Sequence, residues 1–158
     1  MKKIWAPWRS HFIYDRKKKG CIFCRANNGD DDKKYFVIKR TKFSLAMLNI
    51  YPYNNGHIMI APKAHKGSLA KLTSEELTDL MLLLKETTGA VDKLLKPQGY
   101  NIGINVGKAA GAGFPGHIHI HIVPRWIGDT NFMPVISGTK VVSESLDSVY
   151  RRLKSCLK

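Results

Sequence analysis

Between Gly116 and Pro124 the chain reads Gly-His-Ile-His-Ile-His-Ile-Val-Pro, with polar and apolar residues exchanging at every step from His117 to Ile122. Period two is the mark of a strand with two unlike faces: His117, His119 and His121 leave one side, and Ile118, Ile120 and Ile122 leave the other. The same patterning predicts β-rich pieces at residues 35–40 and 43–50, a turn cluster at 51–56 that opens into a strand at 57–61, and an alternating strand at 100–106. After Thr73 the period changes to that of a helix. Thr73 and Glu76 form a capping box, and Leu77, Leu80, Met81, Leu84, Val91 and Leu94 make the stripe predicted to face the core, until Pro97 and Gly99 end it. A final helix starting near Ser143 puts Leu146, Val149, Tyr150, Leu153 and Leu157 on one side, with Cys156 expected to pack beside them. Residues 25–34, with Asn27, Asn28, Gly29 and three consecutive aspartates, lack apolar periodicity and read as an exposed loop. Adjacent strands with one long central helix and a C-terminal helix predict an α+β fold with a mainly antiparallel sheet.

Length and charge narrow the partners more than the fold. A chain of 158 residues is most simply one domain, and it buries roughly 70% of its unfolded surface, so neither disulfides nor a metal is needed to make a core. Lys and Arg number 26 against 12 Asp and Glu, a formal charge of +14 that favours anionic partners. Much of it lies in a basic arm over residues 1–20 and near the C-terminus, where a solvated charge run is the simpler reading. Nothing resembles an aromatic RNA-binding motif or a helix-turn-helix pair, so a nucleic-acid partner is not expected. Trp5, Pro7, Trp8 and Arg9 interrupt the apolar stretch a signal peptide needs, no run approaches a membrane span, and three cysteines suit a reducing compartment. The expectation is a cytoplasmic protein.

The chemistry gathers around the histidines. Imidazole, with an ordinary pKa of about 6.5, can attack or carry protons near neutrality. Gly107-Lys-Ala-Ala-Gly-Ala-Gly-Phe-Pro-Gly116 has side chains small enough for its amides to form an anion-binding nest, with phosphate the natural guest. Cys21-x-x-Cys24 has the spacing of metal ligands.

The run His-Ile-His-Ile-His-Ile-Val resembles the signature of the histidine triad superfamily, His-φ-His-φ-His-φ-φ with φ apolar, and the glycine loop before it and Pro124-Arg125 after it agree. Ile4-Trp-Ala-Pro-Trp-Arg9, Cys21-Ile-Phe-Cys24, the stretch from Asn49 through Gly56-His57, and Pro124-Arg-Trp-Ile-Gly-Asp-Thr-Asn-Phe-Met133 are similar to a bacterial branch related to the fragile-histidine-triad and diadenosine tetraphosphate phosphorylase proteins. The resemblance implies a single histidine-triad-like domain over 1–158 and a homodimer whose sheets join. It also implies a nucleotide hydrolase or transferase that cleaves dinucleoside polyphosphates at an α-phosphorus. His119 would attack phosphorus to give a nucleotidyl-imidazole intermediate, its other nitrogen hydrogen-bonded to fix the tautomer, and water or inorganic phosphate would resolve it. His121 would contact phosphate oxygens, His57 would buttress the triad, and Asn49 would meet ribose. Asn105, Gly111 and Gly113 complete the expected substrate contacts. Some relatives close a zinc site with a histidine after Pro-Lys and with the first triad histidine, so Cys21, Cys24, His65 and His117 are the candidate ligands of a structural zinc; otherwise His117 supports the nucleophile. No organic cofactor is implied.

One departure stands out: many relatives carry Gln, Ser or Thr shortly before the triad, whereas Ala112-Gly-Phe-Pro-Gly116 offers none, leaving phosphate contact there to the backbone. Three alternatives stay open: a hydrolase of nucleoside phosphoramidates, a metallohydrolase using His-x-His, and a non-enzymatic nucleotide or nucleic-acid binding module.

Overall fold

In the computed structural model of the protein, residues 20–130, 136 and 142–157 are described; the basic arm, Trp5, Trp8, His11 and Asn131 to Met133 lie outside them. Five strands, β1 (Val37–Arg40), β2 (Ser44–Leu48), β3 (Ile58–Pro62), β4 (Gly99–Ile104) and β5 (Ile120–Arg125), form one sheet in the order β1-β2-β3-β5-β4. Every pairing is antiparallel. The last strand therefore enters between β3 and β4, and the residues it carries are held from both sides.

Two apolar faces explain why β2 and β3 are buried along their whole length. On one, Ile38, Leu48, Ile58, Ile60, Ile118, Ile120 and Ile122 meet Leu80, Leu83 and Val91 of the long helix and Val149 and Leu153 of the C-terminal one. On the other, Val37, Leu45, Met47, Met59 and Ala61 meet Phe23 and Ala26.

Residues 25–34 are not the loop expected. Helix α1 (Ile22–Asn28) and the single turn α2 (Asp32–Tyr35) occupy them. Their polar residues cap and clamp: Asp31 accepts from Lys34 N–H, and Arg40 donates to the carbonyls of Ala26 (2.7 Å) and Gly29 (3.3 Å), which the end of α1 leaves without partners. Arg40 also pairs with Asp32 at 2.6 Å, and Lys154 reaches the same carboxylate at 2.6 Å. Polarity here marks helix ends rather than solvent.

Helix α3 (Ser74–Leu95) starts at the capping box of Thr73 and Glu76 and ends with Lys96 in the left-handed conformation ahead of Pro97. Its buried side is rotated from the stripe expected: Leu77 and Met81 are exposed, while Leu83, Thr87 and Ala90 face inward. Leucines occur at 77, 80, 82, 83 and 84, so spacing fits more than one face and the sheet decides. Helix α4 (Leu146–Cys156) begins after its cap Ser145 and buries Val149, Tyr150 and Leu153. Cys156 is exposed, against expectation, because it falls on the outer side of the last turn. Among the described residues, no helix is long and apolar enough to cross a membrane.

Candidate active site and metal centre

β5 proper starts at Ile120, so His117 and His119 precede its ladder, yet the alternation of faces persists through them. Ile118 N–H donates to Lys66 O at 2.7 Å and His117 N–H to Phe114 O at 3.1 Å, which holds this approach without a strand partner. Ile118, Ile120 and Ile122 enter the helix-side core. The three imidazoles share the opposite face with Phe23, whose ring centroid lies 5.0 Å from that of His117 and 4.8 Å from that of His119. His119 and His121 lean together, with centroids 4.9 Å apart, closer than the roughly 6.6 to 6.8 Å of two residues' rise.

Hydrogen-bond partners fix which nitrogen of each ring carries its proton. His119 Nδ1 lies 2.9 Å from the carbonyl of His117, a group that only accepts, so Nδ1 bears the hydrogen and Nε2 the lone pair. For His57, Tyr53 N–H donates to Nδ1 at 3.1 Å, so the proton sits on Nε2 and is donated to His121 Nδ1 at 2.9 Å. That leaves His121 with its own hydrogen on Nε2. The neighbouring rings are therefore complementary, one presenting a lone pair and the other a donor.

Burial keeps these rings uncharged. Desolvation, followed by the neighbouring His121 and His119, lowers His57 to about 3, and desolvation followed by His119 lowers His121 to about 4. His119 is also lowered by burial, against the opposing pull of its bond to the His117 carbonyl. A cluster of imidazoles in water would share protons at pH 6; burial works against the charged form of each ring here.

His117 faces the other way. Its Nε2 donates to the Pro62 carbonyl at 2.8 Å, turning the Nδ1 lone pair towards Cys21 Sγ (3.2 Å) and Cys24 Sγ (3.6 Å). His65 Nδ1 lies 3.2 Å from Cys24 Sγ. The ligand atoms of Cys21, Cys24, His65 and His117 all fall within 4.8 Å of one another, so the four can hold a metal ion. Burial and the adjacent Cys21 push the Cys24 thiol up, and such a pair of thiols is relieved by a cation. Two sulfurs and two imidazole nitrogens suit zinc in a closed tetrahedral site, and the Pro62 carbonyl orients His117 from behind as ligand histidines require.

Asn49 and His57 are neighbours, Asn49 N–H donating to the His57 carbonyl at 2.9 Å. The Asn49 carboxamide turns inward, accepting from Tyr51 N–H at 2.9 Å and standing 3.4 Å from His57 Nδ1. In the glycine loop, Gly111 N–H returns to the Lys108 carbonyl and Ala112 N–H to that of Gly107, and Gly113 is exposed. Asn105 follows β4, where Ile104 pairs with Ile120 and Gly103 with His121, so continuing that register sets Asn105 opposite His119.

Three contributors escaped the sequence. Phe23 lies between the two cysteines, a position that the metal-ligand spacing could have flagged. Tyr53 and Asn54 belong to the turn before His57; Asn54 donates to the Pro124 carbonyl (2.9 Å) and to Asp129 (2.8 Å), pinning that turn to the end of β5. A concavity of about 530 Å³ is lined by Asn54, Leu95, Trp126, Asp129, Glu144 and Arg152, and none of the histidines lines it. The histidines stand instead on the face of the sheet that carries Phe23.

The family model described as HIT domain matches residues 31–126. A protein of Mycobacterium tuberculosis (strain ATCC 25618 / H37Rv) named AP-4-A phosphorylase is 32% identical over 161 residues, covering 97% of this chain and 83% of that protein. A Schizosaccharomyces pombe protein named Bis(5'-nucleosyl)-tetraphosphatase (asymmetrical) is 38% identical over 89 residues, 56% of this chain and 48% of that one. Among solved structures, a Zn-bound histidine triad family protein from Mycobacterium smegmatis superposes with a TM-score of 0.70 at 28% identity, over 87% of this chain and 92% of that one. A family model spanning the sheet and a relative aligned along nearly the whole length agree with the alternating histidines: the chain belongs to the HIT domain family.

Proposed function

We propose that this HIT-type nucleotidyl hydrolase or phosphorylase cleaves dinucleoside polyphosphates at an α-phosphorus, with His119 as the nucleophile. The observation that carries the reading is the pair of opposite tautomers: a lone pair on His119 Nε2 beside a donor on His121 Nε2. The relatives named as a phosphorylase and a tetraphosphatase support the substrate class.

A phosphoanhydride has an acceptable leaving group but a negatively charged, shielded phosphorus, so catalysis needs alignment and charge neutralisation more than acid strength. His119 Nε2 attacks the α-phosphorus; the N–P bond forms as the bond to the bridging oxygen breaks, and the rest of the polyphosphate leaves with that electron pair. The His117 carbonyl holds the imidazole proton as positive charge develops on the ring. His121 Nε2–H donates to a non-bridging oxygen, its donor direction maintained by His57 and the Tyr53 amide. Loop amides around Gly113 and the carboxamide of Asn105 add contacts to phosphate, and Asn49 a contact to ribose. Water or inorganic phosphate then displaces His119.

Cys21, Cys24, His65 and His117 are proposed to hold a structural zinc, which when bound crosslinks α1 to the sheet and supplies no reacting group. The exposed apolar residues of edge strand β4 and its loop, Ile102 and Val106, support a homodimer that joins sheets there. Three free thiols suit a reducing cytoplasm.

The test is incubation with diadenosine tetraphosphate, with and without inorganic phosphate, using wild type and His119→Ala. AMP with ATP identifies water as acceptor, and ADP with ATP identifies phosphate. Acid-labile nucleotide labelling of wild type but not of the variant supports the covalent step; turnover retained by His119→Ala would sink it.

A further inference from the structure

The turn that runs from Tyr53 to His57 is tied to a carboxylate just past the end of β5. After Arg125 the chain makes a tight reversal: Asp129 N–H donates to the Trp126 carbonyl at 3.1 Å, with Gly128 at φ +81° inside the turn. The reversal brings the Asp129 side chain back to the strand end, where only 7% of it stays exposed. There it accepts from Arg125 Nε at 2.6 Å and Nη2 at 2.9 Å, from Trp126 N–H at 3.2 Å, from Thr130 Oγ1 at 3.2 Å and from Asn54 Nδ2 at 2.8 Å. The Arg125 guanidinium holds this carboxyl well below the usual carboxylate range, so near neutrality it is always an acceptor.

Asn54 passes that fixity on. Its Nδ2 also donates to the Pro124 carbonyl at 2.9 Å, so both of its hydrogens are spent on groups that only accept, and a flipped carboxamide would set oxygen against oxygen. The main chain around this buried side chain then makes two bonds to one residue: the Asn54 carbonyl receives His57 N–H at 3.2 Å, and Tyr53 N–H donates to His57 Nδ1 at 3.1 Å. A second donor to that nitrogen, Asn49 Nδ2, stands farther off at 3.4 Å. His57 Nε2 faces His121 Nδ1 at 2.9 Å.

We propose that Asn54, anchored on Asp129, is a positioning residue: it holds the Tyr53 amide against His57 Nδ1 and so decides that His57 and His121 both carry their protons on Nε2. Asn54 acts on the reaction only through these two rings. Without the clamp the amide is free to turn to water, and the pair gains a reversed arrangement in which His57 is protonated on Nδ1 and His121 Nδ1 donates to His57 Nε2. His121 then presents a bare Nε2 where the developing phosphate charge needs a hydrogen. The kinetic half of this inference rests on the nucleotide reading given above; the half that concerns protons does not.

Long-range proton–nitrogen correlation spectra tell a protonated ring nitrogen from a bare one, with resonances assigned by single histidine replacements. Wild type should show Nε2 protonated at His57 and His121. In Asn54→Ala and in Asp129→Ala both rings should move towards averaged values while His119 keeps its pattern. Asp129→Asn, with one accepting oxygen in place of two, should move them less, and it carries the same test if the Ala variants do not fold. Cleavage of diadenosine tetraphosphate should lose roughly tenfold in kcat with KM unchanged, short of the 10²- to 10³-fold cost of a whole donor. The double variant should lose no more than the worse single one, because both act through one bond. Val149→Ala, in the helix-side core, lowers stability elsewhere and should leave spectra and kcat as they are. Unmoved His57 and His121 signals in the clamp variants overturn the proposal, as do a wild-type His57 protonated on Nδ1, additive losses in the double variant, or a loss confined to KM. A wild type that cleaves nothing while its spectra shift as expected removes the enzymatic reading and keeps the proton assignment; turnover with unmoved spectra does the reverse.

Discussion

Acidification should destabilise this protein through His57 before it does so through carboxylates. Burial and the neighbouring imidazoles hold His57 at about 3 in the folded chain, against about 6.5 when unfolded. For a histidine depressed on folding, stability is full above the unfolded value and is lost as pH falls towards the folded one, because only the unfolded chain takes up the proton. Between pH 7 and pH 5 the unfolded imidazole becomes nearly fully charged while His57 stays neutral. Linkage then gives a loss of about 2 kcal/mol from this residue alone, a large share of a typical domain's stability. Asp32 and Glu76 are held below their ordinary values of 3.8 and 4.5 by Lys154, Arg40 and Lys66, so their contribution is lost only at lower pH. The assay is urea unfolding of wild type and His57→Gln at pH 7, 6 and 5, with linear extrapolation. Gln keeps a donor for His121 but takes up no proton. Wild type should lose about 2 kcal/mol more than the variant over this range. Parallel curves, or a wild type that gains on the variant as pH falls, would refute the reasoning.

Replacing Cys21 or Cys24 by Ser should abolish stoichiometric zinc after dialysis, read by elemental analysis; zinc content equal to wild type counts against the four-residue site. Phe23→Ala leaves a cavity under His119 and His117 and should cost about 3–5 kcal/mol in denaturant unfolding, with kcat falling more than AMP affinity; a loss under about 1 kcal/mol means that the ring is not a packing element. Gly56 has φ of +70° and an added Cβ would stand 2.5 Å from Leu95 Cδ1, so Gly56→Ala should lower stability by about 1–3 kcal/mol; an unchanged thermal midpoint contradicts that.

Much of the sheet was legible because its strands alternate cleanly or are bounded by turn residues, and the capping box of Thr73 and Glu76 marks the start of α3. The grouping of the candidate site residues was legible for a different reason: alternation put the histidines on one face, and the spacing of Cys21 and Cys24 marked two thiols that the fold brings together with His65 and His117. Residues 25–34 were not legible because a helix this short exposes most of its surface; Phe23 and Ala26 alone turn inward, too few for a period. The face of α3 was hidden by an excess of leucines. Roles within the triad were hidden most deeply, since tautomers follow from main-chain atoms of residues 53, 62 and 117 that no side-chain pattern records.

That last dependence reaches beyond the three rings. The proton on His119 answers to a carbonyl and the proton on His57 to an amide, both fixed by the path of the chain and beyond the reach of any side-chain replacement at those two positions. A redesign that kept all four histidines but slid β5 by one residue along β3 would preserve the composition of the site and scramble its polarity. The fold, in this sense, is the wiring diagram: it assigns giver and taker among chemically identical parts.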